Sequence, residues 1–325
     1  MIEPKNVPSW EALPSVAGQP HGTAWPVWGP NDQLGALNML TPSVVLAGMA
    51  EARTGERFQL DWSMDKPLLP GPGRRTMDHK VICSNGPEWW GCDDEIRINT
   101  QSSSQWDGFK HCATKEGVLY GGFKLADVSS GKETMRNGTH HWVEAGGLAG
   151  RGILLDWARW RTLTGQELPK ACTDFNVPVS ELSAVAEYQG TELRPGDVLF
   201  VRFGFTQWYD GASDTERKWA FRENGSKWIG VLAAEESKKW IWDHHFAAVV
   251  GDNPAFEQCP GVDGEGDGLH HWLLPLAGIP IGEMFYLEKL ALACERQKKW
   301  SFFFTSAPLN IPGGVASTPN AIAIL

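Results

Sequence analysis

The stretch QSSSQWDGFKH, Gln101–His111, decides how the rest of the chain is read. It ends on a carboxylate and an imidazole four residues apart, Asp107 and His111. It begins on two amides with the same spacing, Gln101 and Gln105. With His at both amide positions, the spacing H-x3-H-x-D-x3-H would present the ligands of a divalent metal. The chain keeps that spacing and writes half of it in amides.

Working outward, the preceding DEIRINT alternates apolar and polar residues and leads into the stretch as a strand. In an extended segment, residues four apart face the same way, so Asp107 is expected to orient the ring of His111. Thr41-Pro42 places a cap and a first-turn proline at the start of a helix running to about Arg53. GRGILLDWAR (150–159) reads as a buried strand, and SELSAVAEYQG (180–190) as a helix that stops at its glycine. RPGDVLFVRFG (194–204) is a turn followed by a central strand. LAAEESKKWIWDHHF is a helix feeding the strand AAVVGD, EMFYLEKLALACER is an amphipathic helix, and KWSFFFTSAPLN and NAIAIL are closing strands. Residues 67–93, rich in Gly and Pro, read as a long loop carrying Trp89 and Trp90. The elements interleave without a regular βαβ beat. The expectation is an α/β fold with a mixed sheet core and flanking helices, residues 28–325 forming one domain behind an extended segment, residues 1–27.

Composition bounds the function. The 325 residues carry a formal charge of -10, which argues against a nucleic-acid partner, because a phosphate backbone wants a basic face. No run of about 18 apolar residues offers a membrane span. The start MIEPKNVPSWEALPS has neither the basic nor the apolar part of a secretory signal. The six cysteines lack a CxxC pair and read as reduced thiols of a cytoplasmic protein. Cys83 and Cys92 are close enough to meet across a loop, but the compartment argument reads them as free. The 17 Trp include Trp106, Trp142 and Trp272 beside ionisable clusters, which points to an aromatic pocket for a small molecule as well as to core filling.

A second ionisable cluster lies in LHHWLLPLAGIPIGE, with His270, His271 and Glu283. Taken with the first, it resembles the cyclase family that includes bacterial kynurenine formamidase and isatin hydrolase. QSSSQWDGFKH aligns without gaps with that family's H-x-G-T-H-x-D-x-P-x-H, and His271 and Glu283 have the spacing of its later His and Glu. WGPNDQLGALNMLTP, the Tyr-Gly-Gly at 120–122, GRGILLDW and LRPGDVLFVRFG are similar to the larger members. The resemblance implies a swivelling β/β/α-like fold and a homodimer. It implies metal ligands at Gln101, Gln105, Asp107, His271 and Glu283, and an acid/base role for His111.

This chain departs from the pattern at both early imidazoles. An amide oxygen is a neutral, weak ligand for zinc or manganese, so the metal set shrinks to Asp107, His271 and Glu283. The cofactor expectation is none, or a weakly bound divalent cation such as Mg, Mn or Zn. Asp107, His111, His271 and Glu283 remain as a proton-transfer set. Gln101, Gln105, Trp106, Trp89, Trp90, Tyr120 and His270 are the candidates for contacting substrate. The resemblance implies hydrolysis of a cyclic or aryl amide or ester of an aromatic or polyketide-like metabolite. The departures point to a metal-free lyase, cyclase or isomerase of secondary metabolism, and a non-catalytic binding protein is the third reading. No G-x-S-x-G elbow is present, and Cys112, beside His111, reads as structural. His140-His141 lack an Asp two residues on, and Asp252 and Glu257 sit where a strand ends, serving either a site or a turn.

Overall fold

The structure, a computed structural model, describes residues 4–13, 17–71, 73–261 and 268–325. Its centre is a nine-stranded mixed sheet. Four strands run parallel through the middle: Leu148–Leu155, Val198–Val201, Ala248–Gly251 and Ile281–Glu283. Their near-continuous apolar sequences, such as the fully buried VLFV of Val198–Val201, suit strands covered on both faces. On one side Ser301–Ser306, Ala321–Ile324 and Arg57–Gln59 add antiparallel. On the other, Gln105–Asp107 pairs antiparallel with Ile281–Glu283, and Ala316–Ser317 closes the edge.

Helices cover the sheet where capping and composition foretell them. Thr41 accepts a hydrogen bond from the Val44 amide and starts the helix Pro42–Met49. That helix lies so close to Leu148–Leu155 that a side chain on Gly48 would strike the backbone of Gly150. Val179–Gln189 ends at Gly190, whose φ of 62° is the left-handed cap a glycine supplies without strain. Asp156 caps Trp157–Leu163, so the expected strand 150–159 ends as a helix.

Three further expectations are corrected. Residues 67–93 are not one loop, because Asp78–Asn85 and Trp90–Arg97 form an antiparallel hairpin standing out in solvent. Cys83 and Cys92 face one another across it and are disulfide-bonded, so these two are not free thiols. The start of the chain is not simply extended either. Pro4–Asn6 and Trp10–Ala12 are single helical turns, and Trp10 is buried with its amide bonded to Asp243. Among the described residues no helix is long and apolar enough to cross a membrane.

Candidate functional site

The antiparallel register sets Gln105 directly opposite Glu283 and Asp107 opposite Ile281. Side chains alternate across a strand, so Gln105 and Asp107 emerge on one face and Trp106 on the other. Gln105 Nε2 donates to Glu283 Oε2 at 2.7 Å and reaches both Asp107 oxygens at 3.3 Å. Asp107 and Gln105 are fully buried and Glu283 nearly so. The next residue, Met284, turns the chain out of the sheet with a φ of 52°, held by hydrogen bonds to Asn253 and Ser104.

Gln101 reaches the same point from the turn before the strand. Its Nε2 donates to Asp107 Oδ1 at 2.7 Å and to His111 Nδ1 at 2.5 Å. His111 is not on an extended segment with Asp107. The strand ends at Asp107, and a turn with the His111 amide bonded to the Gly108 carbonyl brings the ring back. Its Nε2 then lies 3.9 Å from Asp107 Oδ2.

The imidazole that joins Asp107 and Glu283 belongs to His270. Its Nε2 lies 2.9 Å from Glu283 Oε1 and 3.7 Å from Asp107 Oδ2. Its Nδ1 lies 2.8 Å from both oxygens of Glu257. His271, expected in this position, points elsewhere: its Nδ1 donates to the Ala113 carbonyl at 2.8 Å and lies 3.3 Å from Cys112 Sγ. Adjacent residues on the short helical turn His270–Trp272 cannot both face inward.

Other expected contacts also fall away from the cluster. Trp106 is fully buried on the far face, its indole bonded to Ser306 and packed on Phe285 and Phe304. Tyr120 is buried against Phe109 and donates to Asp32 at 2.9 Å, fixing the turn before residue 40. Trp89 and Trp90 are exposed on the hairpin, Trp90 to 76%. His140 and His141 form a separate group with Glu144, and His140 Nδ1 accepts from the Gly313 amide. Asp252 is a turn residue, accepting from the Phe203 and Gly204 amides.

Two residues at the cluster had little or no sequence signal. Glu257 was visible only as a carboxylate at a strand end. Arg74 had none; its Nη1 donates to the Gln101 carbonyl at 2.7 Å, and its charge lowers the proton affinity of Asp107, His111 and Glu283.

The electrostatics separate the groups. Burial works to raise Asp107, but His111 and His270 outweigh it and hold it ionised well below the usual carboxylate range. Burial and the neighbouring Asp107 push Glu283 up. Burial would strip His270 of its proton, yet Glu257, Asp107 and Glu283 raise it well above the ordinary imidazole value. His111 moves the other way, lowered chiefly by burial. The arrangement thus holds one imidazole charged and one neutral, with ring centres 6.1 Å apart.

Ligand atoms of Asp107, His111 and His270 lie within 4.8 Å of one another, so the cluster invites the question of a metal. The donor set does not fit zinc or manganese. The amide groups of Gln101 and Gln105 turn their N–H side to the carboxylates, and the buried Gln105 carbonyl oxygen has no hydrogen-bond partner among the described residues. Turning either amide to offer oxygen would set it against a carboxylate oxygen. The imidazolium of His270 supplies the positive charge instead.

Residues 18–258 match the family model Cyclase, described as "Putative cyclase". A solved structure of a novel cyclase is 30% identical, covers 93% of this chain and 99% of its own, and superposes with a TM-score of 0.81. Isatin hydrolase A from Labrenzia aggregata is 15% identical over 86% of this chain and 96% of its own, with a TM-score of 0.57. The Ralstonia solanacearum enzyme is 16% identical over 87% and 97%, also at 0.57. At those identities the two hydrolases share the fold. No curated protein sequence matches the chain.

Proposed function

The chain belongs to the Cyclase family, and from that membership we propose a small-molecule enzyme that works by proton transfer without a transition metal. The observation that carries the reading is the pair His111 and His270. Gln101 donates to His111 Nδ1 and fixes that ring as the neutral imidazole, which serves as the base once a water takes the place of the amide N–H on Nδ1. His270 has a carboxylate on each nitrogen and stays protonated, so the proton it shares with Glu283 is the acid. The base is the more accessible ring, 24% exposed against 15% for His270.

The reaction proposed first is hydrolysis of a cyclic or aryl amide or ester. A water that displaces the Gln101 N–H from Nδ1 gives up a proton to that nitrogen as its oxygen attacks the carbonyl carbon. The C–N or C–O bond breaks as the leaving atom takes a proton from the His270–Glu283 side. Gln101 and Asp107 are positioning residues that fix the ring of His111. The same acid and base facing one opening also suit dehydration or ring closure, and the donor set that disfavours a metal supports this second reading.

The test is to assay purified protein on isatin-like cyclic amides and N-formylkynurenine-like aryl amides, with and without chelator. Turnover that chelator leaves within about twofold supports the reading. Turnover abolished by chelator and restored by added manganese or zinc overturns it.

A further inference from the structure

A cavity of about 190 Å³ opens beside the ionisable cluster. Arg74 and Met284 form the wall it shares with the site, since Arg74 holds the Gln101 carbonyl and Met284 follows Glu283. Phe221, Trp228 and Pro254 line the cavity together with Gly71 and Ser226. The Phe221 and Trp228 rings pack 4.9 Å apart at 46° and give the cavity an apolar wall, with Arg74 as its charged group. A cavity of about 150 Å³ is known to take one benzene ring, so this one suits a single ring with a small substituent.

Arg74 gives the substituent its charge. Among the described residues no carboxylate pairs with this guanidinium, and its hydrogen bond to the Gln101 carbonyl uses one N–H of five. A planar fork with free donors at the rim of an aromatic cavity matches a carboxylate bidentately. We propose that this cavity is the substrate-recognition pocket and that it takes a monocyclic aromatic acid, with the carboxylate on Arg74 and the ring against Phe221 and Trp228. The proposal rests on the enzymatic reading above in one respect: the reacting group, ortho to the acid or fused beside it, then faces His111.

Benzoate and benzamide are the probes, the same ring with and without the charge. Binding is read by calorimetry and by the quenching of tryptophan emission in the wild type, Arg74→Gln and His111→Ala. Benzoate is expected to bind at least tenfold tighter than benzamide. That preference should weaken as ionic strength rises, fall within twofold in Arg74→Gln, and persist in His111→Ala. Equal affinities in the wild type, or a preference that survives Arg74→Gln, overturn the pocket. The wild-type comparison and its salt dependence decide the matter even where Arg74→Gln does not fold. A benzoate preference in a protein that turns over nothing keeps the pocket and removes the acid–base reading. Turnover of neutral amides without any benzoate preference does the reverse.

Discussion

Gln105 Nε2 lies 2.7 Å from Glu283 Oε2, across the one pair of strands that brings the two halves of the site together. An amide hydrogen here does the work a cation would do between buried carboxylates. Purified without added metal, the protein is therefore expected to carry zinc well below one atom per chain. Exchanging Gln101→His together with Gln105→His removes both N–H donors and supplies two imidazoles. That variant should take up zinc or manganese close to one per chain, measured by elemental analysis after dialysis. Stoichiometric zinc in the wild type would contradict the argument from the amides.

His111→Ala is expected to lower turnover by roughly 10²–10⁴-fold on whichever substrate is found, as the loss of a positioned base does. The ring is partly exposed, so the melting temperature should move by no more than a few degrees. Turnover within a few-fold of wild type would remove His111 from the mechanism and shift attention to Glu283.

Glu257 touches His270 and not the site face, which makes it a positioning residue with a readout of its own. Glu257→Gln leaves the shape and removes the charge that does most to hold His270 protonated. The proton affinity of His270 should fall, and the high-pH limb of kcat should move to lower pH while the limb set by His111 stays. An unchanged high-pH limb would mean that the proton comes from elsewhere. Breaking one side of a buried ion pair costs about 3–5 kcal/mol, so the variant should also melt lower.

Stability should depend on pH through Asp252 and Asp197. Burial pushes Asp252 up to about 7 and Asp197 up to about 6. A carboxyl raised on folding stabilises most below its ordinary value, and that contribution is lost as pH rises through the folded value. Unfolding free energy from these two groups should therefore decline between about pH 4 and pH 7. Glu51, lowered to about 2 with Lys299 and Ser301 as hydrogen-bond partners, acts oppositely below its ordinary value, its contribution falling with pH. Asp252→Asn should flatten the decline in urea titrations run across that range; an unaltered slope would exclude Asp252 as its source.

The parts of the fold that the residues announce are those governed by local rules. Val198–Val201 is a run of apolar residues, Gly190 can only end a helix, and Thr41-Pro42 can only begin one. Asp107, Glu283 and the two amides were legible through spacing and resemblance. The choice between His270 and His271 was not, because the turn leading into the π-helical segment Leu273–Ala277 sets which ring faces inward. Trp106 misled for the converse reason: next to a site residue on a strand means on the other face. The hairpin's signal in the residues is the turn-forming Asn85-Gly86-Pro87 between Cys83 and Cys92. Arg74 had none, since a lone arginine in a glycine- and proline-rich stretch acquires meaning only from what the chain folds against.

Met284 carries a backbone angle that L-residues pay to adopt, where the strand Ile281–Glu283 meets the aromatic cavity. Left-handed geometry costs a non-glycine residue about 1–2 kcal/mol. Replacing Met284 by Gly would release that strain and, in the same stroke, remove a side chain from the cavity wall. Because Met284 is buried, the packing lost, about 2–5 kcal/mol, outweighs the strain relieved, so selection for heat resistance should keep a large side chain here in spite of its backbone angle, and the wall of the cavity is preserved by the demands of the core.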